Sequence, residues 1–282
     1  MRTLLVAFGA LLAFLAGRVL RVRRAHVVGS IERSGLRDAE RIADGMYRSL
    51  GRGVAELLEL LLRPKRSLGA EVDLSAASAC VDALRRSGRG IVVATAHTGN
   101  WDLVACAAAE RVPLTVITKH LSQRTLDRIW QGLRRGRGVR LLAAGHAATG
   151  ATAALRRGEL VAMLIDQAPE RVRGTTIASF FGRPVRVDLS PALLAARARV
   201  PLITAFGRRR GDGRHELVVG QVFQPPEQDT RAWAERTMQL ATAELERFVR
   251  QRPEQWLWLH RRWKDFEGGA LPAPPRTVEV GP

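Results

Sequence analysis

From Gly90 onward, short apolar and β-branched runs alternate with stretches of helical spacing, and this leaves few folds open. Strands are predicted at Ile91–Ala96, Leu114–Thr118, Val139–Leu142, Leu160–Ile165, Leu202–Phe206 and Leu217–Phe223. Helices are predicted between them, near Leu103–Ala109, Ser122–Leu133, Ala147–Arg157 and Pro191–Arg199, and a long one over Thr230–Arg250. Such a pattern forms an α/β domain: a mostly parallel central sheet flanked by helices. Sheets of this kind place ligands beyond the carboxyl ends of their strands. The first predicted strand ends there in His97, and the turn Thr98-Gly99-Asn100 leads into a helical segment opening on Trp101-Asp102.

A histidine in that turn and a carboxylate on the first helical turn can reach hydrogen-bond distance. Such a bond fixes the imidazole tautomer and leaves the other ring nitrogen to take a proton. Thr98 or Asn100 is placed to cap the helix, whose first N–H groups point back at the loop. The spacing alone does not decide the matter, because His260 and Asp265 repeat it. A core histidine bonded to a backbone carbonyl would also look the same. The end of a central strand is what singles out His97.

Several chemistries have no motif here. No serine has glycine two residues before it, so the nucleophile elbow is missing. No lysine follows glycine, which removes the P-loop, and no H-E-x-x-H or paired C-x-x-C marks a metal site. Cys80 and Cys106 lie in helical patterns and read as reduced packing residues. What remains is a lone base. It can take a proton from a hydroxyl so that the oxygen attacks an already activated carbonyl, such as a thioester. The oxyanion would be met by backbone N–H groups near Asn100–Asp102 or by an arginine.

Ahead of the α/β region, residues 3 to 17 carry no charge, and Arg18, Arg21, Arg23 and Arg24 follow. The run is short for a span and lacks both a polar face and a cleavage site before the arginines. It reads as a retained anchor or as a helix in the membrane interface, with its basic end in the cytoplasm. Residues 31 to 63 show helical spacing, with breaks expected at Gly51 and Gly53 and an end at Pro64. A further helix is expected from Asp73 or Ser75 to Arg86. The Gly- and Pro-rich residues 268–282 read as a flexible tail, which leaves 1–24 as anchor and 25–267 as the main domain.

All but three of the 45 basic residues are arginine, and the net charge is +18. Codon bias would produce this; so would an anionic partner such as nucleic acid, acidic lipid, a phosphorylated substrate or an acidic carrier protein. A nucleic-acid binder needs aromatics interleaved with its arginines, whereas aromatics are 5% of the chain and the tryptophans cluster near the C-terminus.

Four blocks carry a family resemblance. His97-Thr98-Gly99-Asn100-Trp101-Asp102 resembles the His-x4-Asp/Glu signature of the lipid A biosynthesis (late) acyltransferases, part of the wider glycerolipid acyltransferase group. Ile165-Asp166-Gln167 is similar to the family's second acidic block. Ser179-Phe180-Phe181-Gly182-Arg183-Pro184, with Pro191-Ala192-Leu193-Leu194-Ala195, is similar to its F-F-G…A-x-L-A block. The stretch 253–264, P-E-Q-W-L-W-L-H-R-R-W-K, resembles its closing aromatic-basic motif, here read as an interfacial segment or as core packing. The chain departs from the pattern at Arg186-Val187-Asp188-Leu189, where small or hydroxylated residues are usual.

The resemblance implies a glycerolipid acyltransferase-like fold and an enzyme on the cytoplasmic face of the inner membrane. It would move a fatty acyl chain from acyl carrier protein or coenzyme A to a glycolipid hydroxyl, with no cofactor, no metal and no nucleic acid. The acceptor would be a lipid A precursor or, as in some members, a phosphatidylinositol mannoside. His97 matches the family's base and Asp102 its partner. Asn100, Arg134, Arg135, Arg137, Asp166 and Gln167 are the expected substrate contacts, with the family's arginine one of the three named. The same base acting on a lipid ester would make a hydrolase.

Overall fold

The computed structural model describes residues 1–85 and 88–266. Helix α1 (Arg2–Phe14) runs into a π-helical turn (Leu15–Val19), followed by α2 (Arg24–Arg33) and α3 (Ala39–Leu62). A short strand β1 (Val72–Asp73) and α4 (Ser75–Arg85) lead into the alternating region. There β2 (Ile91–Thr95), α5 (Trp101–Ala109), β3 (Leu114–Thr118), α6 (Arg124–Gly136), β4 (Arg140–Ala143), α7 (Ala147–Arg156) and β5 (Leu160–Leu164) follow in order. A hairpin of β6 (Thr175–Phe180) and β7 (Arg183–Asp188) precedes α8 (Ser190–Ala198), β8 (Leu202–Arg209), β9 (His215–Phe223) and α9 (Thr230–Gln251). All six predicted strands are present within a few residues of their expected ends. The expected ends at Arg86 and residues 268–282 fall outside the described residues.

Seven strands form one sheet in the order β1-β9-β8-β2-β5-β3-β4. Every pairing is parallel except β8 with β9. β2 sits at the centre, and four of its five residues are buried, as an apolar run without alternation requires when helices cover both faces. Steps from β2 to β3 and from β3 to β4 move outward, while β4 to β5 returns. Right-handed crossovers therefore put α5 and α6 on one face and α7 on the other, with α8 and α9 beside it.

One expectation needs correction. Helix α3 runs unbroken through Gly51 and Gly53. Gly51 is where α1 crosses α3: a Cβ there would lie 2.2 Å from the Gly9 carbonyl oxygen, and one on Gly9 would lie 2.3 Å from that of Gly51. Only a glycine pair allows that approach, so these glycines make a helix contact and not a break. The F-F-G block forms the turn of the β6–β7 hairpin. Its T-T-I-A-S-F and R-P-V-R-V-D strands are joined by Phe181 and Gly182, both at positive φ, a two-residue primed turn. Strand β1 was missed because two residues leave no periodicity.

Helix α1 and the π-helical turn after it lie along α3, from Arg2 paired with Glu59 to Gly17 against the Tyr47 ring. Its outer side stays apolar and open, at Leu4, Val6, Phe8, Leu11 and Phe14. The stretch Arg2–Val19 is long and apolar enough to cross a membrane.

Candidate active site

The parallel register of β2 and β5 builds the centre of the site. Thr95 is level with Leu164, so two residues further on His97 stands beside Asp166. The Asp166 carboxylate, fully buried, accepts from the His97 backbone N–H at 2.9 Å and from ring Nδ1 at 2.9 Å. It also accepts from the Trp256 indole N–H at 3.0 Å. Burial by itself would raise this carboxyl's pKa, but the adjacent imidazole and these donors hold it well below the usual carboxylate range. With Nδ1 protonated toward Asp166, Nε2 carries the lone pair, and it has no hydrogen-bond partner among the described residues.

Asp102 does not take the place expected of it. Its Oδ1 accepts from Arg134 Nε at 2.7 Å and from the same guanidinium's Nη2, and its Oδ2 from the Trp130 indole at 2.9 Å. Arg134 lies over the Trp130 ring, 3.6 Å from its centroid. The predicted His97–Asp102 bond is therefore replaced by two separate pairs, His97 with Asp166 and Asp102 with Arg134. The reason is geometric. Two strand ends in register lie side by side, whereas the first turn of α5 presents Asp102 to α6.

The three candidate arginines separate clearly. Arg134 and Arg135 lie on α6, and Arg137 follows it directly. Arg134 is buried on Asp102; Arg137 pairs with Glu110 and donates to the Arg66 carbonyl at 2.7 Å; Arg135 is exposed.

The turn itself is fixed from behind. Gly99 has φ of +57°, and a Cβ there would lie 2.9 Å from the Gly207 carbonyl oxygen, so this position requires glycine. Asn100 caps α5 by accepting from the Leu103 N–H at 3.1 Å. Its amide donates to Glu56 at 2.8 Å and to the Gly53 carbonyl at 3.3 Å. This buried side chain is thus tied to α3 and the helix start. Glu56 collects three further donors, Arg209 through Nε at 3.0 Å and Nη2 at 2.8 Å, and His215 through Nε2 at 3.2 Å.

Glu56 was not anticipated from sequence, where it is one of several acids on an amphipathic helix. Burial pushes its pKa up, but the His215 and Arg209 hydrogen bonds outweigh that and bring it down from 4.5 to about 2. A depressed carboxyl stabilises the fold above its unfolded pKa, and that contribution is lost as pH falls from about 4.5 toward 2. Glu56→Gln should therefore lower stability at pH 7 by on the order of 3 kcal/mol and flatten the acid limb of a Tm-against-pH curve. An unchanged acid limb would remove this role from Glu56.

The C-terminal segment closes the site from above. The Gly99 N–H donates to the Gln255 carbonyl at 2.9 Å, and the Leu257 N–H to the His97 carbonyl at 3.1 Å. Trp256, Trp258 and Trp263 are buried, and Trp256 packs edge-on against Phe180 at 5.4 Å. They are core, so the interfacial reading of this segment is withdrawn. The His260 ring lies 4.7 Å from that of His97, and Asp265 pairs with Arg186 instead of His260. Burial first, and then the charges of His97 and nearby arginines, bring the His260 pKa down to about 4.

Gln167 Nε2 lies 3.3 Å from His260 Nε2. Its carbonyl accepts from Arg262, whose guanidinium is fully buried with Nε and Nη2 unpartnered among the described residues. Burial lowers the Arg262 pKa to about 10, opposed by the Asp166 charge. Besides Glu56 and its donors, Arg262 and Trp256 are site members without an assigned role in the sequence reading. The only signal was their place in the closing aromatic-basic block. No group of three or more His, Cys, Asp or Glu among the described residues could hold a metal.

A family model for bacterial lipid A biosynthesis acyltransferases matches residues 10–265. The chain belongs to that family. It is an O-acyltransferase, and the family's association with membranes accords with the open apolar face of α1. Its match includes both acid blocks and the closing motif. No curated protein matches the chain. Among solved structures it is similar to the 1-acyl-sn-glycerophosphate (LPA) acyltransferase PlsC from Thermotoga maritima. That likeness has a TM-score of 0.42 at 15% identity, over 91% of this chain and 100% of that one. It is a loose likeness, and nothing in the site rests on it.

Proposed function

We propose that the protein transfers a fatty acyl chain from a thioester, on acyl carrier protein or coenzyme A, to a glycolipid hydroxyl at the cytoplasmic face of the inner membrane. The observation that carries this is His97, with Nδ1 held on a buried carboxylate and Nε2 left as the base. Nε2 takes the proton of the acceptor hydroxyl, and the oxygen attacks the thioester carbonyl. The carbonyl becomes a tetrahedral oxyanion. Its collapse breaks the carbon–sulfur bond, and the proton on Nε2 leaves with the thiolate. Because the donor is already activated, no acyl-enzyme is needed.

The oxyanion is met by the start of α5. Leu103 and Val104 direct their N–H groups to Asn100, while those of Trp101 and Asp102 belong to the set a helix start leaves without intrahelical acceptors. Asp166 orients the base. The family name favours a lipid A precursor as acceptor, and a phosphatidylinositol mannoside is the second reading.

Mass spectrometry of total lipids, with and without the protein, tests the acceptor. The expected result is one glycolipid heavier by a single acyl chain when the protein is present. A lipid pool depleted of esters would instead support a hydrolase and overturn the transfer reading. The donor is tested by salt. An acidic carrier protein is steered by exposed charge screened over about 8 Å at physiological ionic strength, so its transfer rate should fall steeply with salt. Coenzyme A should show less of this. Arg135, exposed beside the buried Arg134, is the arginine of the three to replace in that test.

A further inference from the structure

Helix α6 holds Asp102 through Trp130 and Arg134 on its inner side, and it also carries apolar residues that are exposed among the described residues. Leu126 is 59% exposed and Ile129 48%, one turn apart, with Leu121 exposed just before the helix. Arg124, Arg128 and Arg135 are exposed as well, and the helical spacing puts them on the opposite side of the helix from Leu126 and Ile129. The helix's one acid, Asp127, is turned inward onto the Leu121 N–H, His120 and Gln131. This is the composition of an interfacial helix: apolar groups on one side, a guanidinium-rich face on the other, and no exposed acid on the helix.

In the fold, α6 is linked to α1 through packed helices. Helix α5 lies between α3 and α6, and α1 lies along α3. At the end of α3, Leu61 and Leu62 are exposed, and the following Pro64 and Arg66 carbonyls accept from Arg137 at the end of α6. The exposed apolar residues of α1, the α3 end and α6 therefore follow one connected series of contacts.

We propose that α6 is a second membrane-contacting element, with Leu126 and Ile129 at the acyl boundary of a bilayer whose anionic headgroups attract the helix's arginine face. The proposal rests on the membrane association of the family but not on the chemistry at His97. Contact at α6 would put the bilayer against the helix that holds Asp102, beside the site.

The test uses the full chain in proteoliposomes without substrate, so its outcome is independent of acyl transfer. In a Cys80→Ser background, where the remaining Cys106 is buried, Leu126→Cys is labelled with an environment-sensitive fluorophore. Asp212→Cys, in the exposed β8–β9 turn, serves as the aqueous reference. In phosphatidylglycerol vesicles the label at 126 should shift to the blue and be quenched at least threefold more by spin-labelled lipid than the label at 212. In pure phosphatidylcholine the shift should shrink at least twofold. Equal behaviour at 126 and 212 would overturn the contact, and an equal shift in both lipids would overturn its anionic selectivity. Shielding at 126 that depends on protein concentration and not on lipid would assign the face to a second copy of the chain, against the proposal.

Discussion

His97→Ala is expected to lower acyl transfer by about 10²–10⁴-fold while leaving the fold intact, the usual loss when a positioned base is removed. The side chain sits at the rim of the sheet, 8% exposed, so its removal leaves a small polar gap, and the Asp166 carboxylate keeps two hydrogen-bond donors, the Trp256 indole and the backbone N–H of residue 97. His260→Ala is the informative contrast. His260 touches the His97 ring, and its lowered pKa keeps it neutral at working pH, so it adds no charge to the reaction. A loss of less than about tenfold is expected there, through looser packing of His97. Purified, folded His97→Ala with near-normal turnover would remove the base assignment; an equal loss in both variants would make the two imidazoles a joint unit.

The sheet was legible because its central strands β2, β3, β5 and β8 are buried or half-buried runs rich in apolar and β-branched residues, punctuated by turns. His97 was legible because it ends the central one. What sequence could not show was the register. That Thr95 pairs with Leu164 is decided by packing across 69 residues of chain, and it is this pairing that gives His97 its carboxylate. Local spacing suggested the nearer acid, Asp102, because a helix start is the only geometry a sequence window reveals. Gly51 misled for a similar reason: its partner, Gly9, lies in another helix. The tryptophans near the C-terminus read equally as headgroup anchors or core, and only burial separates those readings.

The two acids now make opposite predictions. Asp166→Asn should act on rate. It removes the charge that holds the Nδ1 proton, and the amide can also donate to Nδ1, which would place the proton on Nε2 and abolish the base. A fall in kcat of about 10²–10⁴-fold is expected, with KM little changed, because the Asp166 carboxylate is fully buried and held by His97 and Trp256. Asp102→Asn should act on stability. It leaves Arg134 buried with no carboxylate, and breaking a buried pair from one side costs about 3–5 kcal/mol. For a chain of this size that corresponds to a Tm lower by roughly 5–10 °C. Below that temperature the folded variant should keep kcat within about tenfold, since His97 retains Asp166. Measuring kcat and Tm on both variants separates the pairings. Should folded Asp102→Asn lose kcat as His97→Ala does while Asp166→Asn turns over normally, the nearer acid would be the working partner of the base after all. That would require α5 to turn Asp102 off Arg134 when substrate binds, and Arg134→Lys, which keeps the charge but not the two-nitrogen grip on Oδ1, should then raise activity instead of lowering Tm alone.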